Sequence, residues 1–224
     1  NLHELEDALR RYHHVVSEGS ELPRHAVASL RVALIHRLLT EQLDFITVAK
    51  EVIDTRTFER VLGRVVMPGK GRGKVGGKAA GLLLAQCILR DAGDDDEVGT
   101  VAIPLTWFVA SSGLRAFVHH NDLEDVLEQK YKSIDEVRHD YPNIIRLFKS
   151  SRFPPEMVKG LSVALDEFEG RPLVVRSSSL LEDRIGTAFS GKYKSLFLAN
   201  QGTKAERLAA LLDAIAEIYA STFG

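Results

Sequence analysis

The sequence predicts an α+β fold in which helices predominate and the sheet is small. Apolar residues recur at three- and four-residue spacing through most of residues 1–66, which is typical of amphipathic helices. Three β-prone runs follow later in the chain, at Val101–Ala110, Leu173–Val175 and Ser195–Ala199. We therefore expect a helical extension over residues 1–66, with a role in interaction or regulation, followed by a mixed domain over residues 67–224.

Breaks rich in glycine, proline or charge separate the predicted helices. Glu18–Pro23 ends the first helix, and the glycine- and lysine-rich segment Met67–Gly77 can only be a loop. Pro104 makes the first β-prone run an edge or irregular strand, because proline lacks the N–H that a central strand needs. In chain order, the predicted helical segments are residues 1–17, 24–66 (with a break at 54–57 before a short helix at 58–65), 78–92, 114–120, 123–131, 134–148, 154–168 and 204–223.

The composition is that of an ordinary globular chain and argues against several classes of protein. With 224 residues, 45% hydrophobic residues and a net charge of −2, the chain can bury a core but has no broad basic field for nucleic acid. The single cysteine, Cys87, excludes an internal disulfide and lies in an apolar run typical of a small buried side chain. No apolar stretch reaches the ~20 residues that span a bilayer, and the beginning lacks the apolar core of a signal peptide. We expect a cytoplasmic protein, and both chain ends look like cuts made in a longer protein.

The segment Arg171–Asn200 carries the pattern richest in chemistry. A β-prone run leads to Arg176, Ser177 and Ser178, and a glycine-containing loop, Gly186–Gly191, precedes the next run. Arginine offers a planar fork of donors that matches phosphate oxygens, and glycine lets backbone N–H groups approach a ligand. These residue types favour a phosphate site, but a β-hairpin with a solvated polar loop explains the segment equally well.

A second feature compatible with phosphate is the junction between a loop and a helix at Gly73–Gly81. Gly76 and Gly77 precede the helix, so backbone N–H groups and the positive end of the helix dipole are exposed there. Lys78, in the first turn, is placed to reach a phosphate group. The junction thus offers both a backbone cradle and a positive charge.

The same junction is not a Walker A loop. That motif requires glycine where Arg72 stands and serine or threonine where Ala79 stands, and no convincing strand runs into the loop. For Lys70, Arg72 and Lys74, a solvated basic linker is an equally simple interpretation.

Three segments, in this order, resemble one enzyme family. They are GGKAAG (residues 76–81), VAIPLTWFVASSGLRAF (residues 101–117) and LVVRSSSLLEDRIGTAFSGKYKSLFLAN (residues 173–200). Together they are similar to the N-terminal nucleotide-binding domain of phosphoenolpyruvate synthase and pyruvate phosphate dikinase, with the resemblance covering residues 73–223. Rifampicin phosphotransferases and glucan, water dikinases share this domain, so the resemblance identifies a domain and leaves the phosphate acceptor open.

The resemblance implies an ATP-grasp fold, in which ATP is held between two α+β lobes, and this chain would contain only the first. Lys78 would contact the phosphates of ATP, and Arg176 would bind and polarise the phosphates during transfer, which makes these two the catalytic residues. The other residues of the implied ATP site are Gly76, Gly77, Ser177, Ser178, Thr187, Ala188 and Gly191, with Thr187–Gly191 forming a lid over the triphosphate. In the family, phosphate passes from ATP to a histidine on a mobile domain and then to pyruvate.

Parts of the family's machinery have no counterpart in this sequence. The acidic ligands of Mg²⁺ belong to the second lobe and the phosphorylated histidine to another domain, so we expect both outside residues 1–224. Glu182 and Asp183 are alternative metal ligands, but their neighbours indicate a solvated loop. The His13–His14 and His119–His120 pairs fall in helical stretches, where adjacent side chains diverge, so a shared metal site is disfavoured.

The sequence therefore predicts the ATP-binding lobe of a phosphotransferase similar to phosphoenolpyruvate synthase. The expected cofactors are ATP and Mg²⁺, and the expected acceptor is pyruvate or a related small molecule. The expected partners are the remaining ATP-grasp lobe and the phosphohistidine domain of the same protein, without nucleic acid or membrane, and residues 1–224 alone are expected to be inactive. Two alternatives stay open: a non-catalytic nucleotide-sensing or interaction module, and an antibiotic or glucan phosphotransferase.

Overall fold

The chain folds into two compact units. The structure is a computed structural model that describes residues 2–17, 23–68, 73–92, 102–178, 183–184, 187–188 and 194–224. The first unit draws on residues 1–111 and 178–184, and the second unit draws on residues 112–177 and 185–224. The α+β class predicted from the sequence is confirmed.

The helices of the first unit follow the apolar periodicity of the sequence. They are α1 (Leu2–Ser17), α2 (Arg24–Leu38), α3 (Leu43–Val52), α4 (Thr55–Leu62) and α5 (Gly77–Ala92). The break predicted at residues 54–57 is wrong for residues 55–57, which already belong to α4. Only Asp54 precedes the helix, and it is the N-cap, because its carboxylate accepts a hydrogen bond of 2.7 Å from the backbone N–H of Thr57. The helix predicted at residues 78–92 begins one residue earlier, at Gly77.

One hydrophobic core holds the first unit together. Its buried side chains come from all five helices and include Leu9, Leu34, Phe58 and Cys87. Cys87 is 1% exposed, as its apolar neighbours in the sequence predict, and burial raises the pKa of its thiol. Residues from both sides of the predicted domain boundary at position 66 pack into this core. The separate roles predicted for residues 1–66 and 67–224 stay a prediction.

A short parallel strand pair lies beside the loop that precedes α5. Strand β1 (Val65–Val66) pairs with β2 (Phe108–Val109), and the backbone N–H groups of Phe108 and Ala110 donate to the carbonyl oxygens of Arg64 and Val66 at 2.9 and 3.0 Å. The prediction of a helix through Val65 without a strand leading into the loop is therefore wrong. Two residues are too few to show a strand period, and their partner strand lies far along the chain. Within the run at 101–110, only β2 is a strand among the described residues.

The second unit contains the helices that the sequence predicts most clearly. They are α6 (Ser112–His120), α7 (Ile134–Ser150), α8 (Pro155–Phe168) and α9 (Lys204–Ala220), with two 3-10 helices at Glu124–Tyr131 and Ser221–Phe223. Capping boxes begin α7 (Ser133 with Glu136) and α9 (Thr203 with Glu206). The segment predicted as a helix at 123–131 takes the tighter 3-10 form.

An antiparallel strand pair supports the candidate phosphate segment of the second unit. Strand β3 (Leu173–Arg176) pairs with β6 (Ser195–Leu198) in the register Leu173–Leu198 to Arg176–Ser195. Helix α9 packs against both strands, and Leu173 is buried while Arg176 is exposed. The strands β4 (Asp183–Arg184) and β5 (Thr187–Ala188) each contain two residues. The two β-prone runs thus pair with each other, which is compatible with both a phosphate site and a solvated polar loop.

Among the described residues, no helix combines the length and the apolar character that crossing a bilayer requires.

Candidate functional site

Backbone hydrogen bonds fix the loop that leads into α5. The N–H of Val75 donates to the carbonyl oxygen of Leu38, at the end of α2, over 2.9 Å. Ser111 and Lys74 bond in both directions: the Ser111 N–H donates to the Lys74 carbonyl (2.9 Å), and the Lys74 N–H donates to the Ser111 hydroxyl (3.1 Å). The loop is therefore held from two sides before the helix begins. Sequence reasoning missed Ser111, because nothing in the local pattern connects it with a loop 37 positions earlier.

Lys74 serves this loop structurally. Its ammonium group donates to the carbonyl oxygen of His36 and lies 3.2 Å from the Glu41 carboxylate. The hydrogen bond from Lys74 lowers the pKa of Glu41. The Lys74 side chain is 20% exposed, so the interpretation as a solvated linker is wrong for this residue. Lys70 and Arg72 lie outside the described residues.

Gly76 occupies a position that only glycine can take. Its φ of +89° lies in the left-handed region that side chains rarely adopt. A Cβ at this position would overlap the backbone carbonyl oxygen of Ser178 and lie 2.6 Å from its hydroxyl oxygen. The backbones at residues 76 and 178 therefore approach more closely than any side chain would permit.

The N-terminus of α5 receives a cap from a distant residue. The backbone N–H of Ala79 donates to the Ser178 hydroxyl at 3.0 Å, across 99 positions of sequence. Gly76, which precedes the helix, has no side chain for this purpose, so Ser178 supplies the oxygen that an N-cap residue normally provides. The Ser178 hydroxyl accepts a hydrogen bond here, and its assignment to the ATP site stays a prediction.

Lys78 lies in the first turn of α5, beside this capped end. It is partly exposed, and Gly77 before it is the first residue of the helix. The helix N-terminus carries a partial positive charge to which the Lys78 ammonium adds a full one. This end of α5 therefore combines glycine backbone, positive charge and partial exposure, which is the chemistry that an anion requires.

The second unit presents Arg176 at the end of β3. Arg176 is exposed and lies opposite Ser195 in the strand pair, and Ser177 after it is partly buried. The backbones of Thr187 and Ala188 form β5, but their side chains and the whole of Gly191 lie outside the described residues. The lid predicted at residues 187–191 stays a prediction.

Acidic and histidine side chains do not assemble into a metal centre in the described ranges. No group of three or more histidine, cysteine, aspartate or glutamate side chains is placed there to hold a metal ion. His119 instead contacts Glu124 at 2.9 Å and lowers its pKa, and His13 lies 3.5 Å from Glu59. Glu182 and the side chain of Asp183 lie outside the described residues.

Comparison with known proteins gives one further finding. A family model described as "Pyruvate phosphate dikinase, AMP/ATP-binding domain" matches residues 72–224, more than half of the chain. The matched region includes the loop before α5, Lys78 and the segment that follows Arg176. No curated protein and no solved structure shows significant similarity to the chain.

Proposed function

The chain belongs to the family of the pyruvate phosphate dikinase AMP/ATP-binding domain, and we propose that it supplies the ATP-binding lobe of an enzyme that transfers phosphate from ATP to a histidine. From that histidine the phosphate passes to pyruvate or to a related small acceptor. Family membership makes the chain an ATP-binding module of a pyruvate phosphate dikinase-like enzyme, of the ATP-grasp type. The histidine, the acceptor and the second lobe are part of the proposal.

The observation that carries the proposal is the N-terminus of α5. A loop held by backbone hydrogen bonds leads to Gly76, whose positive φ leaves no room for a side chain, and Lys78 follows in the first helical turn. We assign the backbone of Gly76 and Gly77 and the ammonium group of Lys78 to the phosphate chain of ATP. Positive groups that are already in position when the reaction starts stabilise the negative charge that develops on the phosphate oxygens during transfer.

Arg176 is the second proposed catalytic residue. It is exposed at the end of β3, and its guanidinium can donate two parallel hydrogen bonds to phosphate oxygens. Ser177 and Ser178 complete the strand end in the proposal. Thr187, Ala188 and Gly191 form a lid that excludes water from the triphosphate.

Mg²⁺ is proposed to accompany ATP. The resemblance assigns its protein ligands to residues beyond this lobe. The positive charges of Lys78 and Arg176 act on the phosphates independently of the metal.

The test is turnover by the complete natural protein. With labelled ATP, Mg²⁺ and pyruvate, the protein should consume ATP and transfer label to a histidine, and Lys78→Ala or Arg176→Ala should each slow transfer by roughly a hundredfold or more. Thermal unfolding should show that both variants remain folded. Unchanged transfer in either variant would contradict the roles assigned to these residues.

A non-catalytic nucleotide sensor is the second candidate, and the shared core favours it. Helices α1 to α4 pack around α5 in one hydrophobic core, so a ligand at the N-terminus of α5 could change how these helices pack. ATP binding that depends on Lys78, without ATP consumption by the complete protein, would favour this function.

A further inference from the structure

A cleft that carries three arginines lies at the C-terminal end of α5. This arginine cleft is defined by Arg56 and Arg60 of α4 and Arg90 of α5, and α1 forms its third side. Its volume of about 640 Å³ falls in the range of about 300–1,000 Å³ that is typical of small-molecule sites. Arg90 follows Lys78 by twelve positions on one helix, or about 18 Å at 1.5 Å per residue. The cleft is therefore separate from the proposed ATP site.

One buried hydroxyl group holds two of the three guanidinium groups close together. Thr57 is 3% exposed, and its hydroxyl oxygen accepts from Nη2 of Arg60 at 3.0 Å and from Nη1 of Arg90 at 3.3 Å. The two nitrogens are thus no more than about 6 Å apart, although both groups are positively charged. Arg56 lies one turn before Arg60 on the same face of α4, and like charges at this spacing repel each other.

The aspartates of the cleft compensate the charge of one arginine. Arg90 lies 3.6 Å from Asp54 and 3.2 Å from Asp91. Within the part of the chain that the structure describes, neither Arg56 nor Arg60 forms an ion pair. The repulsion among the arginines is therefore only partly offset, and an anion that accepts hydrogen bonds from several guanidinium groups would relieve it.

The same cleft offers acceptors for hydroxyl groups. Glu59 lies 3.5 Å from His13, and Glu59 and Asp91 are about half exposed. Each carboxylate has lone pairs beyond those that one ion pair uses. Every described side chain that lines the cleft is charged or titratable, so charge and hydrogen bonds would hold the ligand. The lining fits an anionic group attached to a hydroxylated body.

We propose that the arginine cleft binds the phosphate group of a small phosphate monoester, whose hydroxyl groups donate to Glu59 and Asp91. A monoester carries close to two negative charges at pH 7, and the planar fork of a guanidinium matches its oxygens. Arg56 and Arg60 precede residues 72–224, which the family model matches, so the site goes beyond the proposed ATP-binding function.

The test compares phosphate monoesters with the alcohols from which they derive. Glycerol 3-phosphate, glucose 6-phosphate, glycerol and glucose are titrated calorimetrically into the complete protein, with and without a non-hydrolysable ATP analogue. At least one monoester should bind in both conditions, and neither alcohol should bind. Arg56→Ala should weaken the monoester roughly tenfold or more, because a charge-assisted contact is lost. Arg24→Ala, which removes an exposed arginine outside the cleft, should stay within about twofold of wild type.

The Arg56→Ala variant should fold normally. Arg56 is exposed and forms no ion pair with a described residue, so its truncation should leave the unfolding midpoint unchanged or slightly raised. Arg56→Lys, which keeps the charge but loses the planar fork, should bind the monoester with intermediate affinity.

Three results would overturn the site. The first is that neither monoester binds the wild-type protein, and the second is that Arg56→Ala binds as tightly as wild type. The third is that the ATP analogue displaces the monoester, which would place it at the N-terminus of α5. Each result leaves the proposed function intact, because the test of that function depends on Lys78 and Arg176.

Discussion

The hydroxyl oxygen of Ser178 accepts a hydrogen bond of 3.0 Å from the backbone N–H of Ala79 and so caps α5 from 99 positions away. Gly76 makes this contact possible, because a side chain there would overlap the carbonyl oxygen of Ser178. The two residues therefore depend on each other. Gly76 has no side-chain oxygen to cap the helix that follows it, and the Ser178 hydroxyl provides that oxygen instead. The result is an ordered helix N-terminus with Lys78 in its first turn.

Replacing Ser178 by alanine should destabilise the protein by about 1 kcal/mol. The change removes the acceptor of the Ala79 N–H, and the loss of an N-cap oxygen typically costs about 0.5–2 kcal/mol. Urea unfolding of Ser178→Ala and wild type measures the difference. Ser195→Ala, at an exposed strand position, is the control and should stay within about 0.5 kcal/mol of wild type. Equal stability of Ser178→Ala and wild type would show that the cap contributes nothing.

Gly76→Ala and Gly81→Ala should change stability in opposite directions. Alanine at position 76 combines a φ of +89° with a steric overlap at Ser178, so we expect a loss of about 2–4 kcal/mol. Gly81 lies within α5, and an added Cβ there would meet no atom within 4 Å apart from its chain neighbours and the backbone of its own helix, so alanine should add roughly 0.5–1 kcal/mol. Thermal unfolding of both variants tests the pair. A tolerated alanine at position 76 would mean that the loop has another conformation.

The sequence predicts the long helices well and the short strands poorly. Helices α7, α8 and α9 are long enough to show several turns of apolar periodicity, and the capping boxes at Ser133 and Thr203 mark where two of them begin. Strand β1 has two residues and gains its order from β2, so no local pattern reveals it. The apolar spacing of Glu124–Tyr131 predicts a helix but does not distinguish the 3-10 form from the α form.

For the candidate site, local motifs could be recognised but long-range contacts could not. Gly76, Gly77, Lys78 and Arg176 belong to types and spacings that suggest phosphate binding by themselves. The contact between Ser178 and Ala79 and the exposure of Phe197 depend on the packing of distant segments. The neighbouring residues in a β-prone run do not distinguish an exposed phenylalanine from a buried one, so the sequence does not predict the exposure of Phe197.

Because of Glu217, a carboxylate in the second unit, the stability of the fold should change with pH in the acidic range. Glu217 contacts Lys194 at 2.9 Å and Lys149 at 3.2 Å, and the hydrogen bond from Lys194 is the main cause that lowers the pKa of Glu217 below its usual 4.5. Lys149 also lies 2.9 Å from Asp213. A lower pKa in the folded state means that the carboxylate stabilises the fold above the unfolded pKa, and that this stabilisation is lost as pH falls through the folded pKa.

Glu217→Gln should therefore be destabilised at neutral pH only. After allowing for screening by solvent, we expect a difference from wild type of about 0.5–1 kcal/mol near pH 7. The difference should vanish once the pH lies below the folded pKa, where the wild-type side chain is protonated too. Urea unfolding of both proteins along a pH series measures it. A difference that persists unchanged at acidic pH would assign the effect to packing instead of charge.

The central proposal, that Lys78 and Arg176 each bind phosphate groups of ATP, is tested most directly by calorimetric titration of the complete protein with Mg²⁺–ATP. Each charge-assisted contact is worth about 1.5–3 kcal/mol, so Lys78→Ala and Arg176→Ala should each weaken binding by roughly tenfold to a hundredfold. Lys159→Ala, which removes an exposed lysine from α8, should bind as the wild type does. Wild-type affinity for Mg²⁺–ATP in either Lys78→Ala or Arg176→Ala would contradict the claim.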